Sequence, residues 1–119
     1  MCCEEASLKI RVKRITFFVE DLDAATKYYR DTLGLGVADV REGWSSFHAS
    51  RDIEFAFHRG KGRRPRIELL VEGDLREARA LLNERGARLG NCKEVCGREI
   101  CIGKDRDGNS VQLSADSRG

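Results

Sequence analysis

The chain contains itself twice, and no other feature narrows its fold as much. Arg14-Ile15-Thr16-Phe17-Phe18-Val19-Glu20 is echoed by Arg66-Ile67-Glu68-Leu69-Leu70-Val71-Glu72 at a constant offset of 52 residues. Each copy is followed by an acidic helix start, an amphipathic run and a glycine, over residues 21–34 and then 74–86. A further echo closes each half, Ile53-Glu54-Phe55 against Val111-Gln112-Leu113. Two copies of one supersecondary unit pack about a pseudo-two-fold axis, and ligands tend to bind between such halves. The repeat therefore points to a site before any catalytic motif is sought.

Residues 14–20 alternate with a period of two, Ile15, Phe17 and Val19 on one face and Arg14, Thr16, Phe18 and Glu20 on the other, which is the signature of a strand. Asp21 or Asp23 can cap the helix that follows, where Ala24, Ala25, Tyr28, Tyr29 and Leu33 recur at helical spacing up to the glycine stop at Gly34. Strands are expected over 36–40, 44–49 and 53–58, turned by Glu42-Gly43 and Arg51-Asp52. The second half repeats the order. A strand is expected over 66–72, then a helix over 74–85 with Leu75, Ala78, Leu81 and Leu82 on one stripe. Strands are expected again near 87–89, 98–104 and 110–114. Asp105-Arg106-Asp107-Gly108-Asn109 is a strong turn signal before the last of them. The stretch 90–97 carries no clear periodicity.

The expected class is therefore α+β: two tandem β-α-β-β-β modules forming a curved mixed sheet around a central cleft. Module one covers about 12–59, a linker about 60–65, and module two about 66–114. One helix per module covers one sheet face only. The apolar set Ile15, Phe17 and Val19 belongs beneath the helix, and Arg14, Thr16, Glu54, Ala56, Arg66, Glu68, Ser110 and Gln112 belong on the open side.

Composition excludes several classes. A chain of 119 residues supports one domain with a single modest core. No apolar run approaches the length of a membrane span. The Met1-Cys2-Cys3-Glu4-Glu5 start lacks the basic and apolar regions of a secretory signal, so a cytoplasmic location is expected. Net charge is only +2, from 22 basic and 20 acidic side chains. The single basic cluster, Arg59, Lys61, Arg63, Arg64 and Arg66, has no interleaved aromatics, so it reads as a solvated linker and no nucleic-acid partner is expected. Five cysteines without a secretory signal argue against a disulfide framework. Cys92, Cys96 and Cys101 read as reduced structural or incidental thiols, with a redox or metal role as the alternative, and Cys2-Cys3 as part of a disordered tail.

The tracts Phe18-Val19-Glu20-Asp21-Leu22, Tyr28-Tyr29-Arg30-Asp31-Thr32-Leu33-Gly34, Trp44 and Asp105 to Leu113 resemble the vicinal oxygen chelate superfamily, which includes glyoxalases, fosfomycin and bleomycin resistance proteins and extradiol dioxygenases. The resemblance covers about residues 12–114. It implies a metal site with one ligand on the first and last strand of each module. Those positions fall on Arg14, Glu54, Arg66 and Gln112, where the family pattern has His or another ligand at the first and third. Arginine stands at both. A guanidinium has no lone pair to donate, and His48 and His58 lie elsewhere, so no metal and no other cofactor are expected.

Two readings of this altered site stand side by side. In one, Arg14 and Arg66 hold an anionic or carbonyl-rich small molecule. In the other, Arg14, Arg66, Glu54 and Glu68 neutralise one another. Trp44 and Phe47 read equally as an aromatic ligand wall and as core. His58, four residues from Glu54 on the same face, is a candidate base or an exposed structural histidine. Tyr28 and Tyr29 read as packing. The functional expectation is a metal-independent small-molecule-binding protein similar to the resistance proteins, with cationic bleomycin-type drugs repelled by the arginines. The alternative is a lyase, isomerase or dioxygenase with a metal or an unusual site. The resemblance also implies a homodimer.

Overall fold

The computed structural model describes residues 9–115; Cys2 and Cys3 lie outside them. The chain runs β1 (Ile10–Val19), α1 (Leu22–Lys27), β2 (Val37–Arg41), β3 (Trp44–Ser50), β4 (Ile53–Arg59), β5 (Arg66–Val71), α2 (Leu75–Glu84), β6 (Lys93–Val95), β7 (Arg98–Lys104) and β8 (Ser110–Ala115). All eight strands form one sheet in the order β2-β3-β4-β1-β5-β8-β7-β6. Within each module the first and last strands pair in parallel, β1 with β4 and β5 with β8. The modules meet along one antiparallel seam, β1 against β5, where Ile15 faces Ile67. That pair marks the pseudo-two-fold axis, since 15 and 67 are also related by the sequence repeat. Among the described residues no helix is long and apolar enough to cross a membrane.

Both helices start where the sequence places an acid. Asp21 accepts a hydrogen bond from the Ala24 amide at 3.0 Å and Asp74 one from the Glu77 amide at 2.9 Å. Each side chain thereby satisfies a first-turn donor that the helix itself cannot. Each helix covers its own end of the sheet. Leu22, Phe47 and Phe57 make the core under α1, with Phe17, Val19, Tyr29 and Phe55 around them. Val71, Leu75, Ala78, Leu89, Cys101 and Leu113 make the core under α2. The two clusters share no residue. Ile15, expected beneath the first helix, belongs to neither and sits half-buried at the seam. The molecule is accordingly elongated, 49 × 28 × 28 Å, with a radius of gyration of 15.8 Å, against about 13 Å for a compact chain of this size.

Two expectations need correction. The first helix is α-helical only to Lys27 and widens into a π-turn over Tyr28–Thr32, closed by the Leu33 amide on the Tyr28 carbonyl at 2.9 Å. The wider turn tucks Tyr29 onto Phe57, ring centres 4.5 Å apart, and leaves Tyr28 and Leu33 about half exposed, at 49% and 50%. Residues 87–89 are not a strand. The Asn83 amide side chain bonds both the N–H and the C=O of Leu89, at 2.9 and 3.1 Å, and so takes the place of a strand partner. The sheet edge is instead the three-residue β6, in the stretch without periodicity.

Gly103 shows how tightly this last loop is laid down. A Cβ there would lie 2.5 Å from the Arg88 carbonyl oxygen and 3.1 Å from the Leu89 Cα, both backbone atoms. Only glycine lets the 87–89 segment cross β7 at that distance.

Candidate functional site

The concave face of the sheet, opposite the helices, is built from rungs that cross the seam. Glu54 on β4 stands beside Arg14 on β1, Arg14 beside Glu68 on β5, and Glu68 beside Gln112 on β8. One row thus runs Glu54–Arg14–Glu68–Gln112. The next runs Ala56–Thr16–Arg66–Ser110–Lys104. Arg14 is on this face by alternation with Thr16 and Phe18, and a bulge just before it, between Val12 and Arg14, leaves Lys13 without a partner in the β1–β5 ladder.

In the first row Arg14 is a clamp. Its Nε donates to Glu54 Oε1 at 3.2 Å and its Nη1 to Glu68 Oε1 at 3.1 Å. The second oxygen of Glu68 accepts from the Thr16 hydroxyl at 2.7 Å. Glu68 and Thr16 are buried, 5% and 1% exposed, so both carboxylate oxygens of Glu68 are satisfied where water would otherwise be needed. The Arg14 guanidinium also lies over the Trp44 ring, 5.3 Å from its centre. Lys13 is half-buried close by, and its amine is pushed below the usual lysine range, first by burial and then by the nearby Arg98 and Arg14 charges.

Arg66 is outside this clamp. The sequence mapping groups it with Arg14, Glu54 and Gln112, but the two-fold between Ile15 and Ile67 sends the two arginines to opposite sides of the axis. Arg14 faces Glu68, and Arg66 faces Thr16. The neutralising network therefore closes around Arg14, Glu54 and Glu68 only. Arg66 has no ion pair among the described residues, and its Nε is buried without a hydrogen-bond partner. Its guanidinium stacks on Phe18 at 5.6 Å, beside that of Arg63 at 4.4 Å.

The two aromatic candidates separate. Trp44 is on the concave face, edge-on to His58 at 6.2 Å. Phe47 is not a wall of the cleft: it is fully buried beneath α1, packed near Tyr29 and Phe57. Three residues apart on one strand, the pair must point to opposite faces. His58 is exposed, and its Nδ1 donates to the Arg59 carbonyl at 2.8 Å. Four residues of strand hold it about 13 Å from Glu54, so the two do not act together.

The residues of the first row do not fit a divalent metal. The position between the two carboxylates is taken by a guanidinium, which is a cation and has no lone pair. Gln112 adds only a neutral amide. Among the described residues no group of three or more His, Cys, Asp or Glu side chains converges on a point. The cysteines are elsewhere: Cys101 is buried under α2 with Cys92 half-buried beside it, while Cys96 is exposed. Burial, and then the neighbouring Cys92, push the Cys101 thiol up to about 11.

Three contributors escaped the sequence reading. Alternation puts Thr16 on the open face without indicating a role, and its hydroxyl fixes Glu68. Phe18 is the platform for two guanidiniums. Lys13 reaches the site through a bulge that no local pattern announces.

The fold and its pseudo-symmetry agree with what the chain is similar to. A model of the Glyoxalase/Bleomycin resistance protein/Dioxygenase superfamily matches residues 11–113. No curated protein sequence matches significantly. Among solved structures, a superfamily member from Vibrio splendidus aligns with a TM-score of 0.61 at 14% identity, over 92% of this chain and 100% of that one. The Mn(II)-bound glyoxalase from Novosphingobium aromaticivorans aligns with a TM-score of 0.71 at 20% identity, over 88% of this chain and 38% of that one. An extradiol ring-cleaving dioxygenase from B. fuscum gives 0.69 at 20% identity, over 89% and 32%. With nearly its whole length inside the family match and both modules in place, the chain belongs to the Glyoxalase/Bleomycin resistance protein/Dioxygenase superfamily.

Proposed function

We propose that this protein binds a small anionic or carbonyl-rich molecule on its concave face without a metal. The observation that carries the reading is the division of labour between the two symmetric arginines. Arg14 is consumed by Glu54 and Glu68. Arg66 keeps its charge and a buried, unused N–H. An internal guanidinium takes the role of a cation in the first row, and the uncompensated one beside it attracts an anion. Glu68 has both oxygens occupied, which suits binding better than proton transfer.

The test is a thermal-shift series with small carboxylates and phosphates on tag-free protein, after metal analysis. Saturating anion should raise stability by about 2.7 kcal/mol at a hundredfold excess over the dissociation constant. The Arg66→Met variant should fold and lose that gain. Stoichiometric nickel, zinc, iron or manganese held by Glu54, Glu68 and Gln112 would sink the metal-free reading, and an anion response unchanged in Arg66→Met would sink the binding one.

A further inference from the structure

The basic stretch between the modules does not behave as one solvated linker. Arg59 lines a groove on the α1 side of the sheet, with Lys27 and Arg30. Arg63 and Arg64 instead fold back over the concave face. With Arg66, Lys104 and Ser110 they line a cavity of about 580 Å³ beside the Arg14 clamp.

The backbone places these groups closely. Ser110 stands between Arg66 and Lys104 on a single rung of the sheet, so the two cations flank one hydroxyl across two strand spacings, about 10 Å. Gly60 lets the chain turn over Phe18, since a Cβ there would come within 3.2 Å of that ring. Arg64 packs against Gly108, its Nε 3.5 Å from where a Cβ would stand. Among the described residues Arg63, Arg64, Arg66 and Lys104 make no ion pair, and the only acid lining the cavity is Asp107.

Four cations facing one carboxylate carry a surplus that repels itself unless an anion is present. Arg63 and Arg66 are held by stacking on Phe18 rather than by carboxylates. Stacking fixes the plane of a guanidinium and leaves its N–H edge free. The Nε of Arg66, buried and without a hydrogen-bond partner, is a donor that none of the described residues satisfies.

We infer that this cavity receives the phosphate group of a phosphorylated small molecule, an inference that rests on the anion-binding reading above and assigns its ligand class. A surplus of several positive charges suits a dianionic phosphate better than a monoanionic carboxylate, and paired guanidiniums with a serine hydroxyl present donors to its oxygens. An open cavity of this size has room for a small molecule, and the exposed aromatics that a nucleic-acid strand would stack on are absent from its lining.

Titration calorimetry with phenyl phosphate, inorganic phosphate and benzoate tests this. Phenyl phosphate should bind at least about tenfold tighter than benzoate, the difference of one charge-assisted contact. Arg63→Gln with Arg64→Gln, and separately Lys104→Gln, should each weaken phosphate binding about tenfold or more. Arg59→Gln, on the other side of the sheet, should leave it unchanged. Circular dichroism checks folding, and Arg66→Lys stands in should Arg66→Met fail to fold, with partial retention expected. If phosphate binding is lost with Arg66 but indifferent to Arg63, Arg64 and Lys104, the anion site stands and this pocket falls. If no anion binds the native protein, both fall. An equal loss in Arg59→Gln would reduce the effect to net charge and overturn the site. A single-stranded oligonucleotide binding more tightly than phenyl phosphate, with the same variant sensitivity, would also overturn it in favour of nucleic acid.

Discussion

Replacing Arg14 with methionine removes a cation from between two carboxylates while keeping a side chain of similar reach. Its bond to Glu68 is largely shielded from water, the two side chains being 20% and 7% exposed. A charge-assisted contact of that kind contributes about 2 kcal/mol. The bond to Glu54, whose side chain is 30% exposed, is screened and adds less than about 1 kcal/mol. Glu68 would then keep only the Thr16 hydroxyl, with the Glu54 charge nearby and no counter-ion. The expected loss is about 3 kcal/mol, near 10 °C in melting temperature for a domain of this size. Urea denaturation at neutral pH measures it. The decisive control is the double variant Arg14→Met with Glu68→Gln, which removes the stranded charge together with its partner and should recover at least half of the loss. An Arg14→Met protein within about 0.5 kcal/mol of the parent, or a Glu68→Gln change that adds to the damage, would refute the clamp.

Putting histidine in place of Arg14 should create what the native row lacks. With a lone pair between Glu54 and Glu68, zinc or nickel at a hundredfold excess should stabilise Arg14→His by about 2.7 kcal/mol and the native protein not at all; an equal response in both proteins would contradict the fit argument. The buried Cys101 thiol has its folded value raised from 9.0 to about 11, so its contribution is intact below the unfolded value and is lost as pH rises from about 9 to 11. Relative to Cys101→Ala, the native protein should lose roughly 2–3 kcal/mol across that window, and mass-spectrometric mapping of alkylation at pH 8 should find Cys96 modified well before Cys101. Gly103→Ala sets a methyl against the Arg88 carbonyl and should cost about 2 kcal/mol or more; a neutral result by calorimetry would mean that the 87–89 loop is free to move.

Much of this architecture could be read from residues alone, because the repeat sets the module boundaries, period-two alternation sets the strands, and Asp21 and Asp74 mark both helix starts. The trouble came where geometry depends on a partner that the local sequence does not contain. The diagonal placement of Arg14 and Arg66 follows from the antiparallel register at Ile15 and Ile67, which nothing in either repeat encodes. Lys13 is displaced by a bulge, and the π-turn at Tyr28–Thr32 replaces a helix whose apolar spacing looked continuous. The strand expected at 87–89 is forestalled by one asparagine, Asn83, directly after Leu82 near the end of α2, whose side chain bonds both backbone groups of Leu89. Phe47 is a different case. Its odd spacing from Trp44 already forbids a shared face, so the correct assignment was available in the alternation itself.

The two hydrophobic clusters that share no residue have a consequence for how this protein comes apart. Each helix stabilises only its own end of the sheet, and the halves are joined through the β1–β5 ladder and one short connection. Cooperativity between the halves must therefore pass through that ladder and the side-chain contacts that cross it, Arg14–Glu68, Thr16–Glu68 and Arg66–Phe18. Native-state hydrogen exchange would see two foldons rather than one, with the amides of the seam opening at the lower of the two free energies. A ligand whose contacts span both modules would fuse them into one unfolding unit. A charge clamp that looks like a matter of local neutralisation is, for the folding reaction, the coupling between two half-proteins.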